Sequence, residues 1–547
     1  MPQQKKQSFF INVGIILFSQ IMVKILGMVY RMVITNINGF GDEGNGFYSA
    51  GYQVYILLLA LSSVGIPTAI AKMVAQEREA GSPQGAHRIF RVALGLFAVI
   101  GLSLSMLLFF GADVIARQVI QMEGVQGTLR ALAPSIFFVC VSSVINGYFQ
   151  GMHNMRSTGT AQVLEQIVKC TLTILFVVLA AGGKPEFLAA LATLATTIST
   201  ITSFSYLVVY YRKKRNEINR TPVPRGPSVS KLVKNILWIA LPFSLGSIVT
   251  AVNRLIDTAT ITRGIKSAFS AGIPAIFGGN AVAFPTAEQL NDEAVRLAGM
   301  LSKSDTLINL PVAVNVALAT VLVPAITTAF ARRDKKEARE KISLSMLLSV
   351  LVVVPCALGF AVLARPIYQL IYPAAMEGYD LLQLSAVSLV FMALNQTMYG
   401  VLQGMGRIYV PAVSLIVGSF VKIVLNIVLI QIPSIHIYGA VFSSIACQLA
   451  SFLICSAELS GSIRIQLGRH IVKPITAGLC MGAAAYGIYQ GLYSVLGSNL
   501  IALMTAIFGA VLVYGGLVLA MGILTREEYA MFPGGERIYG IFHKKNS

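Results

Sequence analysis

Charged residues are scarce in this sequence. Asp, Glu, Lys and Arg make up 12% of its 547 residues, about half the fraction in soluble proteins, and hydrophobic residues make up 55%. Apolar blocks of about twenty residues recur from Ser8 to Leu524, and each is long enough to cross a hydrocarbon core about 30 Å thick. A long series of such blocks cannot be covered by the polar surface that remains. The composition excludes a water-soluble protein and predicts an integral membrane protein.

The sequence also lacks the short motifs that would indicate an enzyme or an ATP-driven pump. It contains no G-x-x-x-x-G-K-[ST] phosphate-binding loop, no H-E-x-x-H zinc motif and no G-x-S-x-G nucleophile elbow. The connections between apolar blocks are too short to hold a nucleotide-binding domain. We therefore predict a transporter without a bound cofactor, and the membrane potential or an ion gradient remains open as the energy source.

Cysteine and histidine are few and scattered. The six Cys residues fall inside apolar blocks, which is typical of small buried side chains rather than of disulfides, and the five His residues show no metal-ligand spacing. The sequence thus predicts neither a disulfide framework nor a metal site. At the N-terminus, Lys5 and Lys6 precede an apolar run that continues to Ile34, which is too long for a signal peptide and predicts a first membrane span.

The apolar blocks predict fourteen transmembrane helices. They cover residues 9–35, 47–72, 89–112, 131–151, 160–182, 187–211, 236–262, 304–331, 342–363, 382–404, 409–431, 437–457, 472–495 and 500–523. The net charge of +19 is concentrated in alternate connections, above all in 212-RKKRNEINR-220 and 332-RRDKKEARE-340. By the positive-inside rule, this asymmetry predicts that both termini lie in the cytoplasm, and it explains the basic excess without nucleic acid.

Two parts of the sequence repeat each other at an offset of 253 positions. The segment 147-GYFQGM-152 aligns with 400-GVLQGM-405, and the same offset pairs Lys169 with Lys422. Chance similarity between apolar helices does not explain a shared Gln-Gly-Met together with an intramembrane lysine. We therefore interpret the chain as two repeats of six spans, which are parallel because six is an even number.

The predicted fold is an all-α membrane protein in which two parallel-related six-helix lobes surround a central cavity and two further helices follow. A basic stretch containing Pro222 and Pro224 indicates a linker between the lobes. Between the seventh and eighth spans, residues 264–285 predict an external or re-entrant loop, and residues 287–301 predict a surface helix. The predicted segments are the first lobe 1–211, the cytoplasmic linker 212–235, the second lobe 236–463 and the C-terminal helices with the tail 464–547.

Charged side chains inside the predicted spans are the candidate functional residues, because each costs about 2.5 kcal/mol or more at the centre of a membrane. The basic candidates are Lys24, Arg31, Lys169, Arg254 and Lys422, and the acidic candidates are Glu165 and Asp257. Glu165 can pair with Lys169 and Asp257 with Arg254 on their own helices, which leaves cations in excess.

An excess of positive charge in a central cavity would attract a phosphate or pyrophosphate group. For Arg31 and Arg254, which lie near the ends of their spans, snorkelling to the headgroups is the alternative interpretation. Tyr48, Tyr52 and Tyr55 lie on one face of the second span, where an interfacial aromatic belt is an equally good explanation.

The segment from Lys24 to Ala75 resembles the start of stage V sporulation protein B and the related polysaccharide-transport proteins, a group that includes the MurJ lipid II flippases. The resemblance rests on 24-KILGMVYR-31, the external G-x-G-x-Y and 65-GIPTAIAK-72, and it extends over the whole chain in length and span number. One departure is 53-QVYILLLALSSVG-65, which lacks the basic residues of the second helix in the MurJ branch and places the sequence on the sporulation-protein side.

The resemblance implies a flippase that moves a lipid-linked anionic cell-wall precursor to the outer leaflet by alternating access. The implied partner is an undecaprenyl-pyrophosphate-linked saccharide, with lipid II as the first expectation and teichoic-acid or exopolysaccharide precursors as alternatives. It also implies that Lys24 and Arg31 face a cationic cavity and that the last two helices form a groove for the lipid tail. A monomer is the default expectation.

Two other functions remain as alternatives. A multidrug cation antiporter of the same superfamily would require acidic cavity residues, and here Glu165 and Asp257 each have a neighbouring base. A membrane glycosyltransferase or polymerase acting on the same carrier would require clustered carboxylates or a large external domain, and the sequence indicates neither.

Overall fold

The computed structural model describes residues 19, 22–152, 154–214, 228–279, 281–332, 334–407, 409–460 and 468–524. Helices dominate this part of the chain. They are α1 (22–35), α2 (Gly41–Ser62), α3 (Ile66–Glu79), α4 (Pro83–Val114), α5 (Gln126–Gly151), α6 (Arg156–Leu179), α7 (Pro185–Lys214), α8 (Val229–Ala268), α9 (Ala287–Ala331), α10 (Lys335–Ile371), α11 (Tyr379–Gly404), α12 (Tyr409–Leu429), α13 (Tyr438–Ser460), α14 (Lys473–Leu496) and α15 (Asn499–Ala520). Short π-helical turns, Ile115–Ile120 and Gly468–Val472, adjoin α4 and α14.

Within the described residues, eleven helical segments are long and apolar enough to cross a membrane, and the bent helix α8 raises the number to twelve. The predicted all-α membrane fold is confirmed. Fewer than fourteen spans can be counted in the described part of the chain, because the first predicted span, 9–35, begins outside it and the eighth, within α9, is not among those counted. The chain is a multi-pass membrane protein.

The second predicted span is two helices rather than one. α2 ends at Ser62 and α3 begins at Ile66, directly before Pro67, whose ring fits the first turn of a helix. Gly65 at the junction donates its backbone N–H to Ser244 Oγ of α8 at 3.1 Å. A Cβ atom at Gly65 would lie 2.3 Å from the carbonyl oxygen of Ala240, so α8 approaches at a distance that only glycine permits.

The repeat seen in the sequence recurs in the helix boundaries. α5 and α11, α6 and α12, and α7 and α13 each begin 253 residues apart. α5 and α11 both have 26 residues and end in the same turn, in which Met152 donates to the carbonyl of Tyr148 and Met405 to that of Val401. Lys169 and Lys422 therefore occupy the same position in equivalent helices.

The chain forms two compact units. The first contains Met1–Lys303 with Ile423–Ala440, and the second contains Ser304–Lys422 with Val441–Ser547. One apolar cluster of the first unit joins α2, α4 and α5 through Tyr55, Leu108 and Leu129, which are buried. The boundaries between these units fall inside α9 and α12, whereas the predicted lobes follow the repeat. The division into six-helix lobes therefore stays a prediction.

The second unit has its own apolar cores. One of them joins α10, α14 and α15 through Leu363, Met481 and Leu503. The predicted linker 212–235 lies partly outside the described residues, and its flanks are helical, since α7 extends to Lys214 and α8 begins at Val229.

The connection between α8 and α9 differs from the predicted loop. It contains a short antiparallel hairpin in which β1 (Gly272–Ile273) pairs with β2 (Val282–Ala283). The predicted surface helix at 287–301 is the first part of the 45-residue helix α9. No proline lies between Ala287 and the start of the predicted eighth span, and the single glycine there, Gly299, does not end the helix.

Candidate functional site

Lys169 lies in the interior of the first unit among tyrosine side chains. It is 6% exposed, and its Nζ donates a hydrogen bond to Tyr52 Oη at 3.2 Å. The ammonium group also lies 4.6 Å from the centre of the Tyr52 ring and 5.5 Å from that of Tyr30, within the range of cation–π attraction. Tyrosine rings and a hydroxyl group thus surround a buried cation.

Glu165 lies one helical turn before Lys169, as predicted, but no ion pair forms between them in the described part of the protein. The Glu165 carboxylate is close enough to Lys169 to attract it. Because this attraction acts without a direct contact, the positive charge of Lys169 is only partly compensated.

The tyrosines of α2 form a continuous stack, since residues 48, 52 and 55 share one helix face. The rings of Tyr48 and Tyr52 stack at 5.6 Å, and those of Tyr52 and Tyr55 lie 5.3 Å apart. Tyr48 and Tyr55 are buried. Burial is the opposite of what an interfacial belt requires, so the stack is part of the interior of the unit.

Arg31 extends this cluster. Its guanidinium lies 4.8 Å from the centre of the Tyr48 ring, and its Nη1 donates to Ser302 Oγ of α9 at 3.2 Å. The neighbouring Tyr30 and Tyr48 share a hydrogen bond of 2.9 Å between their hydroxyl groups. Arg31 is therefore held by protein groups instead of extending freely toward lipid headgroups.

Among the candidate cations of the first unit, Lys24 and Arg254 are the two with exposed side chains. They lie close enough for their positive charges to repel each other. Two neighbouring like charges can be neutralised by one anionic ligand that reaches both. The structure thus separates an exposed pair, Lys24 and Arg254, from an enclosed pair, Arg31 and Lys169.

Asp257 contacts a different element from the one predicted. Asn426 Nδ2 of α12 donates to Asp257 Oδ1 at 2.7 Å and to Thr260 Oγ1 at 3.0 Å, within the first unit. Lys422 lies one turn before Asn426 on α12, is half-buried and belongs to the second unit. The four cations of the first unit can be described together, and the place of Lys422 beside them stays a prediction.

The sequence did not indicate the most deeply buried ion pair. Lys303 Nζ lies 2.6 Å from Asp42 Oδ1, and the two side chains are 1% and 9% exposed. Lys303 precedes the predicted eighth span and Asp42 precedes the second, so both were interpreted as residues of external connections. Only the folded chain brings together residues so far apart in sequence.

Close backbone packing surrounds this ion pair. A Cβ atom at Gly46 would lie 2.2 Å from the carbonyl oxygen of Val295, and one at Gly299 would lie 1.7 Å from that of Asp42. α9 therefore packs against the start of α2 at backbone distance. Ser302 and Lys303, which contact Arg31 and Asp42, lie at the end of this packed region.

Comparison with known proteins identifies the family. A family model described as polysaccharide biosynthesis protein matches residues 9–330, more than half of the chain. The chain belongs to the polysaccharide biosynthesis protein family. A second family model, described as lipid II flippase MurJ, matches residues 293–512. The resemblance inferred from 24-KILGMVYR-31 and the neighbouring motifs is confirmed.

This family member has curated relatives in Bacillus subtilis. It is 24% identical to the lipid II flippase MurJ over 485 residues, which cover 84% of this chain and 85% of MurJ. It is also 24% identical to stage V sporulation protein B over 531 residues, which cover 96% of this chain and 98% of that protein. Because the two identities are equal, they do not show which of the two relatives is more similar to this chain.

Solved structures agree on the fold. A lipid II flippase MurJ structure in an inward closed conformation superposes with a TM-score of 0.68 at 14% identity, covering 92% of this chain and 98% of that one. An inward-facing multidrug-resistance MATE transporter of the MOP superfamily superposes with a TM-score of 0.65 at 15% identity, covering 82% of this chain and 98% of the transporter. Three of these four relatives are named as flippases or transporters, and the fourth is named as a sporulation protein.

Proposed function

We propose that this protein is a flippase that moves a lipid-linked anionic saccharide precursor from the cytoplasmic to the outer leaflet of a bacterial inner membrane by alternating access. The observation that carries the proposal is Lys169, a buried cation among tyrosines that no acidic side chain neutralises by direct contact. A charge at membrane depth is costly and marks a pathway for a ligand of opposite sign.

The exposed pair Lys24 and Arg254 is the first contact for the pyrophosphate group. An exposed Arg can hold two phosphate oxygens in a planar fork, and Lys adds a point charge beside it. Arg31 and Lys169 are enclosed and act later, when movement of α1 or α2 opens the tyrosine cluster. Lys422, at the position in α12 equivalent to that of Lys169, provides the corresponding charge in the second unit.

The lipid tail is assigned to a groove on the second unit. This groove, about 430 Å³ in volume, lies between α10, α11 and α14. It is lined by Ala361, Val362, Gln383, Gly482, Ala483 and Tyr486. The small residues among them leave room for a polyprenyl chain, which supports a role for α14, the first of the last two helices, in holding the tail.

Lipid II is the substrate that we propose first, and carriers of teichoic-acid or exopolysaccharide precursors are the alternatives. All share an anionic phosphate group on a polyprenyl tail, so the cationic site accepts each of them. A multidrug cation antiporter has the same fold, but a cluster of four cations in one unit repels a cationic drug. We propose a monomer that draws on the membrane potential or an ion gradient.

The test is a flipping assay with purified protein in liposomes that contain fluorescent lipid II. Wild type is compared with Lys24→Ala, Arg254→Ala and the control Lys234→Ala, which removes an exposed lysine near the start of α8. We expect transport by wild type and the control, and a loss of about tenfold or more in the two site variants, since one ionic contact contributes about 1.4 kcal/mol or more.

Each outcome has a distinct meaning. If wild type moves no lipid II, the same vesicles are loaded with a teichoic-acid or exopolysaccharide carrier under an imposed potential. Failure with all three carriers contradicts the flippase. If the site variants match the control, the protein is a flippase whose binding site lies elsewhere.

A further inference from the structure

The connection between α8 and α9 has an unusual composition for a segment outside the membrane. From Ser267 to Ala287 it contains no Asp, Glu, Lys, Arg or His. Instead it carries apolar side chains, among them Ile273, Phe277 and Phe284. Segments that meet only water seldom avoid charge over such a length.

The backbone of this connection is paired over a short ladder. Gly272 pairs with Ala283 and Ile273 with Val282 in an antiparallel arrangement. This pairing satisfies some of the backbone polar groups internally, which lowers the cost of approaching a lipid phase. We call residues 269–279 and 281–286 the charge-free hairpin.

One side of the charge-free hairpin is fixed to the first unit. Arg296 of α9 donates to the carbonyls of Ile276 and Phe277 at 3.2 and 3.1 Å, and Glu293 holds the guanidinium at 2.8 Å. The Phe277 ring lies 5.9 Å from that of Tyr438. The hairpin is therefore a positioned element rather than a loose loop.

The neighbours of the hairpin indicate its level. Tyr438 is the first residue of α13, which is long and apolar enough to cross a membrane. Ile273 and Pro274 line a cavity of about 230 Å³ together with Glu43, which lies in the first turn of α2, a second helix of this kind. Two candidate membrane-crossing helices thus start beside the hairpin, which favours a position near the membrane surface.

The other side of the hairpin is uncovered. Phe284 is 90% exposed and has a backbone φ of 57°, a conformation that a bulky residue rarely adopts. The neighbouring Ala283 is also exposed. A rare backbone conformation that presents an aromatic ring outward is maintained by the hairpin around it and indicates a function for the ring.

We propose that the charge-free hairpin is a lipid-binding element whose Phe284 ring inserts into the headgroup region of the leaflet opposite the basic loops. Aromatic side chains favour this region, where an apolar body meets polar headgroups. A lipid surface fits better than a protein partner, because the segment offers no charge to complement and lies beside two span ends. The proposal does not depend on which substrate is moved.

The experiment uses tryptophan as a depth probe, because the chain has a single native one, Trp238. In a Trp238→Phe background, Phe284→Trp and Ala283→Trp are compared with Glu288→Trp, an exposed position in the first turn of α9. The full-length protein is placed in nanodiscs with lipids brominated near the headgroup end of the acyl chain. Two probe positions keep the test valid if one variant does not fold.

For tryptophan at position 284 or 283, we expect blue-shifted emission, most of which is quenched by brominated lipid. For tryptophan at position 288, we expect little change. Emission that is quenched by aqueous iodide and unaffected by brominated lipid at both positions would overturn the proposal. Protection from both quenchers would also overturn it, because it would indicate a protein partner or a second copy of the chain.

Discussion

At the scale of single residues, Lys169 shows how a membrane interior holds a charge without an acidic partner. The cost of burial at the centre of a span is about 2.5 kcal/mol or more. The π faces of Tyr30 and Tyr52 return about 0.5–2 kcal/mol each, and a hydrogen bond from a charged donor about 1.5–3. These contributions offset the free-energy cost of burying Lys169. An apolar side chain of similar size would have no such cost to offset.

This balance yields a prediction for Lys169→Met. Replacing a buried charge by an apolar side chain of similar volume is often neutral or stabilising, so we expect an unchanged or higher melting temperature in detergent. If the charge serves the ligand, the same variant loses transport about tenfold or more. The control is Lys184→Met, an exposed lysine before α7. A variant that melts earlier and retains transport would show that Lys169 is structural.

The Asp42 and Lys303 ion pair leads to a different prediction, because both groups are buried and in contact. Lys303→Met leaves the Asp42 carboxylate buried without this partner and should cost about 3–5 kcal/mol of stability. Combining it with Asp42→Asn removes both charges and should recover most of the loss.

Thermal unfolding of the two single variants and the double variant measures the coupling between these residues. Additive losses would mean that the two side chains act independently, contrary to the buried ion pair.

The sequence located the cations but not their contacts. Periodicity predicts that Tyr48, Tyr52 and Tyr55 share a face, and the stack follows this pattern. Periodicity does not predict the hydrogen bond from Arg31 to Ser302, since the two residues lie on different helices that only the fold brings together. Local spacing fixes which side chains share a helix face, whereas long-range packing decides which faces meet.

At the scale of elements, the repeat was predictable, whereas the break in the second span and the length of α9 were not. Pro67 and Gly65 correspond to the α2–α3 junction, and the offset of 253 reappears in the starts of three helix pairs. The length of α9 was missed, because the change from a polar to an apolar pattern resembles a boundary. Hydropathy marks where a helix enters the membrane, and a helix can continue beyond that point.

The packing of α9 against α2 is testable at this scale. Gly299→Ala would place a methyl group within 1.7 Å of the Asp42 carbonyl oxygen, so the helices must separate. We expect a loss of about 1–3 kcal/mol or more, the usual cost of overpacking. Gly95→Ala on α4, where no atom lies within 4 Å of the added Cβ, should be neutral or stabilising by about 0.5–1 kcal/mol.

Both glycine variants are compared with wild type by thermal unfolding in the same detergent. Equal effects at the two positions would show that Gly299 contributes through helix propensity alone. A selective loss at Gly299 would establish the backbone contact between α9 and α2.

At the scale of the whole molecule, charge asymmetry predicts which way the protein faces in the membrane. The basic segment 332-RRDKKEARE-340 is predicted to lie inside, and the charge-free hairpin outside. An even number of spans places both termini on the same side of the membrane. This prediction is therefore the same for fourteen spans as for twelve.

This orientation can be measured with single cysteines in a background without the six native ones. Ser270→Cys, in the hairpin, and Glu340→Cys, in the basic segment, are both exposed positions. In intact cells whose outer face is accessible, a membrane-impermeant maleimide should label position 270, and position 340 should react only after permeabilisation. The reverse labelling pattern would mean that the basic loops lie outside and that the charge-free hairpin lies at the inner leaflet.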